Sequence, residues 1–307
     1  MTNASHHQKC IAWLTVFTIE AVAIVTVNAF TIIIYLKERI LRKRTTYLVI
    51  SLAVADMFVT YNLIFEILFL DNYMYCNFWK INLYRSFEIF IVTLSWAYFF
   101  PAASVANLAA ISLERMHATF RPFKHRLIKK KIFGAAVAGV WFTAALSTAI
   151  VFSIFFLSRS DITFFYHVEA SYYLFLFCCL FIMVVSYTSI ATKFYCGTLP
   201  QHHGAIRRER KLTKTLFIVT IVSLILVMPF TIFWSLYYVT LGEIDETISH
   251  ETWPHLELSL RCLFYANSVI NPLLYAFKMP KFKRALFLLL RCRSRSEPVQ
   301  VFPLNDI

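Results

Sequence analysis

The sequence predicts an all-α membrane protein. It should form a bundle of seven transmembrane helices, with the amino terminus outside and a short amphipathic eighth helix on the cytosolic face. Three observations predict this. Seven long apolar runs follow one another along the 307 residues, each close to or above the ~20 residues that cross a hydrocarbon layer. Charged residues make up 15% of the chain and hydrophobic ones 59%, too little polar surface to cover a soluble core. The basic residues also crowd into alternate connections. A β-barrel is disfavoured, because its strands alternate lipid-facing and lumen-facing residues. Continuous runs suit helices, which satisfy their own backbone hydrogen bonds in lipid.

In chain order, the spans are expected near residues 11–36, 46–70, 86–117, 132–157, 169–195, 212–241 and 256–277. Residues 1–10 are read as a short extracellular leader, 11–277 as one membrane domain and 278–307 as a cytosolic amphipathic helix and tail. The first run is long enough to span and lacks a small-residue cleavage site, so no cleavable signal peptide is expected. Lys80, Arg85 and Glu88 blur the outer end of the third run. Of the 30 Lys and Arg, all but Lys9, Lys80, Arg85, Arg159 and Arg261 belong to the 1–2, 3–4 and 5–6 connections and the tail. That bias puts those connections in the cytosol. The net charge of +13 therefore faces anionic membrane lipid and whatever docks there, and nucleic acid is excluded as a partner. After residue 277, Phe282, Ala285, Leu286 and Leu289 alternate with Lys281, Lys283 and Arg284, the pattern of a helix in the membrane interface. Cys292 at its end is a palmitoylation candidate, and Asn3-Ala4-Ser5 is a glycosylation acceptor pattern.

Polar residues inside apolar spans are costly and point to function. The inner half carries Asn28, Asp56, Ser104, Asn267, Ser268 and Asn271. One carboxylate among hydroxyl and amide oxygens suits waters with a small monovalent cation or a proton, and sodium at Asp56 is the one metal considered. Zinc and calcium sites call for more charged ligands. No further cofactor is expected.

These same positions carry a resemblance. Asn28, the stretch Ser51-Leu52-Ala53-Val54-Ala55-Asp56, Glu114-Arg115-Met116, Trp141, Tyr187, Pro229 and Asn271-Pro272-Leu273-Leu274-Tyr275 stand in order, one landmark per span. The chain resembles the rhodopsin-like (class A) G-protein-coupled receptors over its full length. The resemblance implies a ligand-driven transducer of heterotrimeric G proteins in the plasma membrane, and no enzyme. It implies that Glu114, and an acid at the base of the sixth span, hold Arg115 at rest. Glu209, twenty residues before Pro229, stands where that acid belongs. It implies that activation swings the sixth span outward while Tyr187 and Tyr275 turn inward, and that Asp56 binds sodium.

Several positions depart from the pattern. Phe90 replaces the third-span Cys and the 4–5 connection has no Cys, so the usual disulfide cannot form; a Cys10–Cys76 bridge is the alternative. Cys179 replaces the fifth-span Pro. Leu226-Val227-Met228-Pro229 lacks the Trp toggle, and Ser223 replaces a Phe. The missing Cys and Pro, the short 4–5 connection and Glu66 are similar to the melanocortin, cannabinoid and lysolipid receptors. The melanocortin receptors' third-span acids, however, are Phe90 and Leu94 here.

The outer half offers ligand-pocket candidates Glu66, Ala97, Pro101, Trp234, Tyr238, Arg261 and Tyr265. Ala97 stands where amine receptors carry an Asp, and Tyr265 where opsins carry a Lys, so biogenic amines and retinal are disfavoured. Arg261 can meet Glu66 or bind the carboxylate of a ligand; a small molecule, a lipid or a short peptide all remain open. Two other functions compete with a signalling receptor. One is a receptor-like partner that does not signal, which the altered toggle favours. The other is a seven-helix transporter, for which no repeat or paired helix break is present.

Overall fold

A span in hydrocarbon must close its backbone hydrogen bonds within itself, and each apolar run does so as a helix. The computed structural model describes residues 2–38, 46–73, 87–157, 162–196, 204–240, 249, 252–278 and 280–290. Its helices are α1 (Thr2–Lys37), α2 (Thr46–Tyr73), α3 (Phe87–Phe120), α4 (Pro122–Leu127), α5 (Lys130–Leu157), α6 (Ile162–Cys196), α7 (Gly204–Val239), α8 (Thr252–Lys278) and α9 (Pro280–Leu290). The seven spans are α1, α2, α3, α5, α6, α7 and α8. Six of them, all but α8, are apolar enough to cross a membrane by composition alone. The seventh span, α8, carries the polar residues Glu257, Arg261, Asn267 and Asn271, which explains its weaker signal.

Three elements differ from expectation. Helix α1 runs back to Thr2 because no Pro or Gly interrupts residues 2–10. Helix α7 begins at Gly204, where Arg, Lys and Glu, all good helix formers, prolong it below the membrane. The short helix α4 is unforeseen; Pro122 sits at its first turn, the position where a missing N–H costs least.

Neighbouring spans pack in sequence, α8 closes back on α1 and α2, and α3 runs through the middle against α2, α5, α6 and α7. Helix α3 can be central because Ala102, Ala103, Ala106 and Ala109 are buried along it, and small side chains let helices approach closely. The rim is inverted relative to a soluble protein: Ile19, Phe142, Phe181 and Ile225 point outward. Trp141 of α5 donates to Ser51 of α2 at 3.0 Å. Helix α9 docks its apolar face on α1 through Phe282 and Tyr35, with ring centroids 5.6 Å apart, and leaves Lys283 and Arg284 exposed.

At the outer end, Trp13 of α1 donates to His255 Nδ1 of α8 at 3.0 Å. Cys10 is disulfide-bonded, whereas Cys178, Cys179 and Cys262 are free. Of the other cysteines, only Cys76 belongs to the outer side in the charge-based orientation; it lies outside the described residues. Non-reducing peptide mapping is expected to recover a Cys10–Cys76 linked pair. Recovery of Cys10 on any other cysteine would contradict that pairing.

Candidate functional site

The polar residues expected in the inner half converge. Asp56 of α2 is fully buried. Its Oδ1 accepts from Ser104 Oγ of α3 and from Ser268 Oγ of α8 at 3.0 Å. Its Oδ2 accepts from Asn271 Nδ2 of α8 at 3.3 Å. Asn271 in turn accepts from Ser223 Oγ of α7 at 3.2 Å. Asn28 of α1 donates to the carbonyl of Ser268 at 3.0 Å. The network joins five spans, with the Asp56 carboxylate bonded to α3 and α8 directly, α7 joined through Asn271 and α1 through the Ser268 carbonyl; a hydrogen bond to a charged group is worth about 1.5–3 kcal/mol. Asn28 Oδ1 and Asn267 Oδ1 are buried nearby in sequence register without a hydrogen-bond partner. The sequence missed one member: Ser223 reads as the loss of an aromatic, yet its hydroxyl joins α7 to the network.

One helical region below, Arg115 is completely buried at the cytosolic end of α3. Its Nε donates to Glu114 Oε2, and Glu114 Oε1 lies 2.6 Å from His125 Nε2 of α4. Glu114 therefore joins Arg115 to the short helix that follows it. Lys193 of α6 donates to the carbonyl of Thr119 at 2.7 Å and lies over Phe120, a cation placed on the carboxyl end of α3, where the helix dipole favours it. Tyr187 is buried against Phe217 of α7, with centroids 5.5 Å apart. Pro229 and Pro272 lie inside α7 and α8. The side chains of Glu209 and Tyr275, and with them the Glu209–Arg115 pair, lie outside the described residues, as do the side chain of Asn3 and all of Cys292.

In the outer half, Arg261 is paired with Glu257 one turn away on α8, with Nε 3.1 Å from Oε1. The i,i+4 spacing favours this pairing; the side chain of Glu66, the other expected partner, lies outside the described residues. Arg261 also caps the face of Trp234, 6.0 Å from the ring centroid. Trp234 and Tyr238, both expected here, stack at 5.5 Å and sandwich with Tyr173, 5.4 Å from Tyr238. Pro101 and Tyr265 are buried, and Ala97 is half-buried, its carbonyl accepting from Asn62 at 3.3 Å.

Sequence reasoning missed Glu169. This acid of α6 is 1% exposed, accepts a hydrogen bond from the Tyr98 hydroxyl of α3, and lies beside Tyr172, which donates to the Tyr98 carbonyl at 2.9 Å. It stands at the expected outer boundary of the fifth span, where an acid attracts no notice. The available signal was Tyr172 and Tyr173 at i+3 and i+4.

The model of the 7 transmembrane receptor (rhodopsin family) matches residues 27–275. The Substance-K receptor of Homo sapiens is 27% identical over 306 residues, covering 91% of this chain and 73% of that protein. That of Canis lupus familiaris is 25% identical over 311 residues, covering 91% and 75%. The QRFP-like peptide receptor of Branchiostoma floridae is 24% identical over 323 residues, covering 94% and 80%. The matched span runs from the first helix to Tyr275, across the Asp56 network and Arg115. The chain belongs to the rhodopsin family of seven-transmembrane receptors, multi-pass plasma-membrane proteins that pass an extracellular signal to G proteins.

Proposed function

We propose that this receptor answers a short extracellular peptide, and that the signal crosses the membrane through the Asp56–Asn271–Ser223 chain of hydrogen bonds to the base of α7. The peptide class rests on the names of the similar receptors. The transmission route rests on one observation: Asp56 and Asn271 bond α2, α3, α8 and α7 to one another directly above the buried Arg115. Outward movement of α7 about Pro229 breaks the Ser223–Asn271 bond, while Arg115 leaves Glu114 and Tyr187 and Tyr275 turn toward it. The cleft so opened accepts a helix of the G protein. The ligand acts by binding the open packing more tightly than the closed one.

Because Ser223 bonds across to α8 in the closed packing, Ser223→Ala tests this route. A neutral hydrogen bond contributes about 0.5–1.5 kcal/mol, so basal G-protein activation should rise roughly two- to tenfold at matched surface expression. Unchanged or lower basal activity would remove Ser223 from the route.

We infer further that a sodium ion binds at Asp56. The Asp56 carboxylate, the hydroxyls of Ser104 and Ser268, and the partnerless amide oxygens of Asn28 and Asn267 offer hard oxygen donors of the kind a monovalent cation takes. When bound, the ion supplies positive charge that balances Asp56 and favours the closed packing. Exchange of potassium for sodium at constant ionic strength should then lower basal activity in the wild type but not in Asp56→Asn.

A further inference from the structure

We propose that the outer half of the bundle holds a site for an organic cation, an ammonium or guanidinium group carried on the ligand, with Glu169 as its counter-ion and Tyr98, Tyr173, Trp234 and Tyr238 as its walls. This deepens the receptor reading and rests on it only for what binding leads to; the binding itself is independent of any G protein.

Glu169 is buried between α3, α6 and α7, and only one of its oxygens is used, by the Tyr98 hydroxyl. The other, Oε2, is buried with no hydrogen-bond partner. Glu169 has no cationic partner among the described residues. A carboxylate taken out of water is costly unless a cation accompanies it, and this one has an oxygen left to receive one.

Its surroundings suit that guest. Tyr238 lies within the field of Glu169, and Tyr238, Tyr173 and Trp234 pack together as three mutually stacked rings at 5.4, 5.5 and 6.3 Å. Stacked aromatic faces attract a cation that has shed its water. Trp234 Nε1 is buried without a hydrogen-bond partner. Arg261, the cation on α8, is already paired with Glu257. Glu257 Oε2, also buried and partnerless, adds a second acceptor on the Arg261 side.

The test uses the purified full-length receptor in detergent and reads thermal unfolding against added probe. Phenethylamine and phenethyltrimethylammonium are the cationic probes, phenethyl alcohol the neutral control and 3-phenylpropionate the anionic one. The cations should raise the Tm of the wild type in a saturable way, with the alcohol and the carboxylate well behind. Glu169→Gln, which keeps an acceptor for Tyr98, should weaken the apparent affinity for the cations about tenfold or more, with little change for the alcohol. Tyr238→Leu, which leaves the Glu169–Tyr98 bond in place, should do the same and serves if Glu169→Gln fails to fold. The proposal is overturned if no cation stabilises the wild type, if the alcohol matches the cations, or if both variants keep wild-type affinity. It is also overturned if 3-phenylpropionate binds best and is lost in Arg261→Gln. Failure of the receptor to couple to a G protein would leave every one of these results unchanged.

Discussion

Asp56→Ala is expected to lower the Tm of the purified receptor by on the order of 10 °C and to abolish its coupling. The side chain is fully buried and accepts from Ser104, Ser268 and Asn271. Alanine removes the shared acceptor and leaves three donors on two helices, α3 and α8, unanswered in a medium without water. Each buried donor left unsatisfied costs about 1–3 kcal/mol. Asp56→Asn keeps the volume and part of the hydrogen bonding, so its loss of stability should be smaller, roughly half. Thermal unfolding of the three proteins checks the order. A Tm for Asp56→Ala within about a degree of wild type would show that the network does not hold the spans together.

The second large effect is of opposite sign. Glu114→Gln should raise basal G-protein activation about tenfold, measured at equal surface density. Arg115 is buried completely, and Glu114 balances its charge from the adjacent position. Gln keeps the shape and removes the charge. The closed packing then loses the carboxylate that Arg115 Nε donates to, at a cost of up to about 3–5 kcal/mol. Part of that cost persists when Arg115 moves, so the equilibrium shifts by less than the full amount. His125→Ala loosens only the far oxygen of Glu114, 2.6 Å away, and should raise basal activity about two- to threefold. A Glu114→Gln receptor as silent as the wild type would mean that this pair does not restrain the closed state.

Lipid made most of the architecture readable. A span leaves a long apolar run in the sequence, and a polar atom inside it stands out; this is why Asp56, Ser104, Ser268 and Asn271 could be grouped before their bonds were seen. Outside the hydrocarbon that constraint is gone. The helical start of α1 at Thr2 and the turn of α4 depend on local propensity and on docking, which periodicity does not encode. Glu169 was illegible for another reason. An acid at the edge of a span is ordinary, and its meaning arises only when α3 and α7 bring Tyr98 and Tyr238 to it. Arg261 was left open between Glu66 and a ligand carboxylate, and its pairing with Glu257 went unread although Glu257 stood four residues away, the distance at which helix neighbours meet. Ser223 was visible only as a departure, because its gain depends on Asn271 facing it from α8.

The central claim is that the chain transmits a signal to a G protein through Arg115. The most direct test compares basal and ligand-driven G-protein activation in cells for wild type and Arg115→Ala at matched surface expression. Activity present in the wild type and reduced to background in the mutant is the predicted result, and it would also name the coupled G protein. Equal activity in the two would contradict the account, and silence in both under every ligand would favour a receptor-like partner that does not signal.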